Sequence, residues 1–360
     1  MMSMEEILEK GRRKEELTVA EGTRLLKCKD SELKKLLKTA DRVREEEVGN
    51  TVTYVVNRNI NFTNICKNSC KFCAFRRLKN HSEAYTLTKK EVQTKTQKAV
   101  ERGATEICLQ GGLNPSLEFE NYLEYLEAIR EVSPEIHIHG LSPAEINHLS
   151  KKSNLEIKET IQKLKEAGLN SVPGTAAEIL TNRVRKIICP NKIRSGKWEK
   201  IIKTCHELGL PTTSTIMYGH VETPDEIASH FVKLREIQKE TGGFTELVPL
   251  AFASKNTELR EKGLVKNLTQ KDHLKLHAVA RLMLVGWIDN IQTSWVKLGP
   301  KLAQKTLNAG VNDFSGTLIE ENITRAAGGK LEQMKPQRIR KLIKNTGRTP
   351  RERTTTYALK

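Results

Sequence analysis

The chain has 360 residues and a net charge of +17, and its 37% hydrophobic content is enough to bury a full core, which excludes a disordered chain. No run of about 18 apolar residues occurs, which excludes a membrane-spanning helix. The N-terminal stretch MMSMEEILEKGRRKEE has no apolar signal region, so a cytoplasmic protein without membrane attachment is expected. The basic surplus points first to nucleic acid. Lysine and arginine are spread along the chain, however, and the densest stretch is Lys335 to Lys360. Aromatic residues are only 5%, which leaves few platforms for stacking bases. A generally basic surface, with no nucleic-acid partner, is the better reading.

Residues 4–49 read as polar helix, with Ile7, Leu8, Leu17, Leu25, Leu33 and Leu37 as apolar positions. The run Thr51 to Phe62 is rich in β-branched residues and reads as the first strand. A cysteine-bearing loop follows, and then strand and helix alternate. Further strands are expected over 104–112, 135–140, 170–174, 211–219, 245–250, 287–295 and 311–316. Helices are expected at 87–103, 118–132, 154–167, 196–208, 224–240, 270–285 and 299–309, several stopping on a glycine. Such alternation implies parallel strands with crossover helices. No GxGxxG follows the first strand, so a dinucleotide-binding fold has little support. The count fits an α/β protein of the (β/α)8 TIM-barrel type, with an N-terminal helical segment (1–49), the barrel (50–316) and a C-terminal extension (317–360). In that fold the reacting groups sit at the C-terminal ends of the strands.

Seven cysteines without a signal region argue against a disulfide framework. Cys28, Cys108, Cys189 and Cys205 are isolated and read as buried thiols. Cys66, Cys70 and Cys73 fall within eight residues, in NFTNICKNSCKFCAFRR. Structural zinc wants four ligands, and no fourth Cys or His stands at pair spacing. A 4Fe–4S cluster is usually held by four thiolates, so three would leave one iron open to bind a substrate.

CxxxCxxC with Phe72 before the third cysteine, placed after the first strand, resembles the signature of the radical S-adenosylmethionine (SAM) superfamily. LQGGLNP, HIHGLSPAEI, TSTIMYGHVETP, NIQTSWVKLG and NDFSGTLIEENITRAAG are similar to its subgroup of deazaflavin (FO) synthase subunits and futalosine-type menaquinone enzymes. PGTAAEIL followed by ICPNKI resembles the large FO synthase subunits (the CofH family), where the menaquinone enzymes carry a GGGAEI version. The resemblance implies one 4Fe–4S cluster on Cys66, Cys70 and Cys73, with SAM as co-substrate on the open iron. It implies a transferase that joins the 4-hydroxybenzyl group of L-tyrosine to 5-amino-6-(D-ribitylamino)uracil through a deoxyadenosyl radical. It further implies a second FO synthase subunit as partner, a CofG-like radical SAM protein that closes the deazaflavin ring, and a reductant such as ferredoxin or flavodoxin. A futalosine-type activity is the alternative. An RNA-modifying enzyme is a weaker one, because the barrel leaves no room for an appended RNA-binding domain.

By the same resemblance, Gln110, Gly111 and Gly112 form the loop that holds the SAM amino group. The usual version ends in Glu, whereas Leu113 follows here, so backbone contacts are assigned. Glu178 is expected to meet SAM hydroxyls or an amino group, and Arg183, with Arg185 nearby, a substrate carboxylate. His137 and His139 share one strand face, directed into the barrel, and His139, nearer the mouth, is the expected substrate contact. His220 and Glu222, two apart after the fifth strand, are the candidate acid and base. Gln292 and Ser294 are placed against the uracil ring.

Overall fold

A computed structural model of the chain describes residues 2–330 and 333–360. Among these, the first expected strand is divided in two, β1 (Thr51–Val55) and β2 (Asn57–Asn61). They are followed by β3 (Glu106–Gln110), β4 (His137–Gly140), β5 (Thr212–Tyr218), β6 (Phe244–Ala251), β7 (Asp313–Gly316) and β8 (Thr349–Glu352). β2 pairs with β3, β3 with β4, and β5 with β6, all parallel. The expected fourth and seventh strands are reduced to single bridges. His139 pairs with Ser171 and Val172 with Thr212, then Leu247 with Ile291 and Gln292 with Asp313. Pro173 follows the fourth position at once, and a residue without an N–H cannot extend a ladder. The ring closes through Thr53 and Asp313, Val55 and Gly316, and Arg58 and Ile319. Eight parallel positions therefore form a complete barrel, as the alternation implied.

The division of the first strand has a tertiary cause. β8, from the C-terminal extension, lies parallel beside β1 on the side where β2 takes β3 further along. Residues beyond β8 then enter the barrel floor. Arg353 Nε donates to Asp313 Oδ2 at 2.5 Å, Thr355 Oγ1 to Glu106 Oε2 at 2.7 Å, and the Tyr357 hydroxyl to Glu246. The chain's last residues thus join β3, β6 and β7.

Helices cover the outside. The N-terminal segment resolves into Met4–Arg12, Val19–Leu26 and Asp30–Val48, the first two opened by capping boxes at Ser3 and Thr18. A helix at Pro143–Ser153 lies outside the expected set. Its signal is local: Ser142, Pro143 and Glu145 form a capping box with proline in the first turn. Trp198 and Trp295 are fully buried, each stabilising by about 1.5–3 kcal/mol or more, whereas Trp287 is partly exposed. Not all of the basic surplus is surface. Arg44, Arg281 and Arg353 are buried, with Arg281 donating to the Gly310 and Asp289 carbonyls and to Asn312 Oδ1. No helix among the described residues is long and apolar enough to cross a membrane.

Candidate active site

The loop after β2 has no regular structure, and backbone contacts hold it. Cys66 N donates to Arg77 O, Arg77 N to Asn64 O, Lys67 N to Leu113 O, and Lys71 N to Ile188 O. Asn64 clamps the returning chain, its Nδ2 donating to Glu83 O at 2.8 Å and its Oδ1 accepting from Tyr85 N at 2.9 Å. This brings Cys66, Cys70 and Cys73 to the wall of a cavity of about 270 Å³ at the C-terminal end of the barrel. The cavity is also lined by Gln110, Gly111 and Gly112 after β3, Glu145, Glu178, Met217 on β5, Phe252 after β6, and Lys297.

All three thiols are free of disulfides. Burial in the apolar wall pushes the Cys70 thiol well up from its ordinary value, so as a free group it stays protonated and an iron ligand must displace its proton. Among the described residues no three His, Cys, Asp or Glu side chains converge on one metal ion. A cubane takes one thiolate per iron, so its ligands stand around a volume rather than meet at a point. Three thiols on one cavity wall, with no fourth Cys or His among its lining residues, fit a cluster with one open iron.

The two glycines are required by their neighbours. A Cβ on Gly112 would stand 2.2 Å from the Ile65 carbonyl oxygen, and one on Gly111 2.6 Å from the Phe62 ring. Their close approach is therefore to the cysteine loop itself. Both N–H groups are engaged: Gly112 N donates to Thr63 O at 2.9 Å, and Gly111 N to Glu145 Oε1 at 3.0 Å. Glu145 also accepts at Oε2 from Ser142 N at 2.8 Å and Ser142 Oγ at 2.6 Å. Burial pushes its carboxyl up to about 7 against the pull of these donors. The carboxylate that Leu113 does not supply thus reaches the same loop from the next strand's helix.

Glu178 lies in the left-handed region at φ 43°, a strained position for a residue with a side chain. Its Oε1 is 2.7 Å from Lys192 Nζ, and its Oε2 is 3.6 Å from Arg185 without a hydrogen bond. Lys192 also lies 5.4 Å from the centre of the Phe72 ring, beside the cysteine loop.

A family model described as the radical SAM superfamily matches residues 60–234, and one described as the CofH/MqnC C-terminal region matches residues 241–360. A 5-amino-6-(D-ribitylamino)uracil–L-tyrosine 4-hydroxyphenyl transferase of Methanopyrus kandleri is 50% identical, over 90% of this chain and 88% of its own. The protein of that name from Archaeoglobus fulgidus is also 50% identical, over 88% of this chain and 91% of its own. The chain belongs to this radical SAM transferase family. Solved structures of lower identity share the fold. The hydrogenase maturase HydG of Carboxydothermus hydrogenoformans has TM-score 0.77 at 18% identity, covering 98% of this chain and 80% of its own. Methylornithine synthase (PylB) has TM-score 0.73 at 20% identity, covering 96% and 97%.

Several residues expected in the pocket of this family member lie elsewhere. Arg183 faces outward and is half-exposed, with Nε 2.7 Å from Glu226 Oε1. Its neighbour Arg185 is the buried one, donating to the Ala177 and Ile193 carbonyls. His139 does point into the barrel, but its Nδ1 is 2.7 Å from Ser171 Oγ, which His137 Nε2 also meets at 2.7 Å. Burial lowers both imidazoles, which suits neutral interior rings more than substrate contacts. Gln292 donates to Glu246 Oε2 at 2.8 Å near the barrel floor, and Ser294 precedes the short helix Trp295–Leu298 without reaching the cavity.

His220 and Glu222 do meet, with Nδ1 2.9 Å from Oε2, though off the hydrogen-bond direction. They sit behind the wall rather than in it. His220 Nε2 lies 3.0 Å from Met217 O, and its ring stacks edge-on against Phe252 at 6.1 Å. Although burial opposes it, His220, the Gly219 N–H and Lys266 hold the Glu222 carboxyl at about 2. The pair is arranged to hold Met217 and Phe252, not to exchange protons with a ligand. Glu145, Lys192 and Lys297 are lining residues that sequence reasoning missed. The capping box marked Glu145 as a helix start, and no local pattern distinguished the two lysines from surface ones.

Proposed function

We propose that the chain transfers the 4-hydroxybenzyl group of L-tyrosine to 5-amino-6-(D-ribitylamino)uracil, in the synthesis of the deazaflavin coenzyme FO. The observation that carries this reading is the 50% identity, over nine-tenths of the chain, to a transferase of that name. Cys66, Cys70 and Cys73 would hold the 4Fe–4S cluster. When bound, the cluster supplies the electron that cleaves SAM. The chain's own residues bind, orient and exclude water: Phe72, Phe252 and Met217 form apolar wall, and Gln110 and Glu178 are set to meet SAM polar groups. A second FO synthase subunit and a ferredoxin or flavodoxin reductant complete the proposal, in the cytoplasm.

Glu145 is assigned to the SAM ammonium in place of the missing loop carboxylate. It must be ionised to attract that group, and its value of about 7 lies above the usual carboxylate range. The acid form therefore gains as pH falls through 7. The expected kcat/KM for SAM drops about tenfold per pH unit below that point, and Glu145→Gln flattens this limb.

The test is anaerobic reconstitution with iron and sulfide, followed by SAM, a reductant, tyrosine and the diaminouracil. The expected products are 5′-deoxyadenosine and a hydroxybenzyl adduct of the uracil, with tyrosine consumed. Turnover of a futalosine without tyrosine would move the chain to the menaquinone branch.

A further inference from the structure

The geometry points to Lys297 as the anchor for the carboxylate of the amino-acid substrate, an inference that rests on the proposed use of tyrosine. Arg76, Lys192 and Lys297 are cations on the cavity wall. Arg76 Nε donates to the Cys66 carbonyl at 3.0 Å, and Lys192 is 2.7 Å from Glu178. The Lys297 ammonium makes no hydrogen bond or ion pair with any described residue. Its place is nonetheless fixed. Trp295 Nε1 donates to Gly316 O at 2.9 Å, and Lys297 N to Ser294 O at 3.0 Å, so the helix Trp295–Leu298 cannot swing the side chain freely. Burial lowers the Lys297 ammonium from its ordinary value, opposed by the Glu321 carboxylate and the Cys73 thiol nearby, and Glu321 is itself occupied by the Thr324 amide at 2.9 Å.

An unpaired ammonium facing an apolar cavity is costly unless a ligand compensates it. The nearby Cys73, as a cluster thiolate, compensates part of that charge, and among the substrates the two that carry a carboxylate qualify as the anion that meets it: SAM and tyrosine. Position decides between them. Gly111, Gly112, Glu145 and Glu178 follow the second, third and fourth strand positions, whereas Lys297 follows the seventh, on another side of the ring. With SAM assigned to the former group, Lys297 is left for the second ligand.

The test uses cluster-loaded enzyme and equilibrium binding as well as turnover. The wild type should bind L-tyrosine roughly 10- to 100-fold more tightly than tyramine, which lacks the carboxylate. Lys297→Met should remove that preference and raise the KM for tyrosine by a similar factor. Its SAM affinity, read from the shift that SAM causes in the electron paramagnetic resonance of the reduced cluster, should stay unchanged. Equal binding of tyrosine and tyramine by the wild type overturns the inference without any variant. So does a variant that loses SAM and keeps tyrosine, which would give the lysine to SAM. A wild type that neither binds nor consumes tyrosine overturns the proposed function itself, and is distinguished from failure of the anchor alone, where tyrosine is consumed equally by both proteins.

Discussion

Cys70→Ala is expected to lose both iron and SAM cleavage. Cys70 is the middle ligand of the loop, and its amide and carbonyl surroundings are set tightly: Cys73 N donates to Cys70 O at 3.0 Å, and Lys71 N to Ile188 O at 2.8 Å. Two remaining thiolates cannot close a cubane that already has one open iron. Iron and sulfide per chain should fall to background, together with 5′-deoxyadenosine. The fold should survive, because the loop is held by its backbone and by Asn64. Cys205→Ala is the control: that thiol is fully buried in the apolar core away from the cavity, so it should cost stability on the order of 1 kcal/mol and leave the cluster intact. Near-normal iron content with continuing SAM cleavage in Cys70→Ala would refute the assignment of all three cysteines.

Arg353→Met is expected to be the most destabilising single change outside the site. Arg353 and Asp313 are 2.5 Å apart with side chains 2% and 0% exposed, and Glu246 lies 3.5 Å from the same guanidinium. Removing the arginine leaves two buried carboxylates facing each other, a loss of roughly 3–5 kcal/mol. The sign with pH follows. Burial already pushes Glu246 up to about 7, and without Arg353 it loses the cation that opposes this rise. Groups of this kind favour the fold in their protonated form, so stability is lost as pH rises from the unfolded value near 4.5 through the folded one. Chemical denaturation should show a larger deficit at pH 8 than at pH 5. Arg353→Met with Asp313→Asn should recover part of it, while Arg351→Met, at an exposed position, should change little. A deficit independent of pH would mean that lost packing, not charge, accounts for it.

The alternation of strand and helix, the eight strand positions and the cysteine spacing were legible in the sequence because each is a local property. A strand's β-branched run, a helix's capping residue and three thiols within eight positions are decided by neighbours a few residues away. The face of a side chain was legible for the same reason: Ile136 and Ile138 pack beneath helices, while His137 and His139 turn inward. Depth along that face was not. His139 and Gln292 point into the barrel, yet their partners Ser171 and Glu246 hold them below the cavity.

What the sequence by itself determined is therefore the barrel, its order of strands and the loop that gathers the cysteines. Tertiary structure decided which polar groups reach the cavity. Arg183 and Arg185, two apart on one short helix, point to opposite sides of it, and only packing decided that Arg185 is the one turned inward while Arg183 pairs with Glu226 on another helix. Glu145 supplies a carboxylate to Gly111 across 34 residues of chain, and Thr355 reaches Glu106 across 249. Such pairings depend on the closure of the ring, which brings distant segments together with no short-range signal in either one. The C-terminal strand beside β1 shows the same cause, since the break at Val56 arises from a partner that lies almost 300 residues away, as in Thr51 with Thr349.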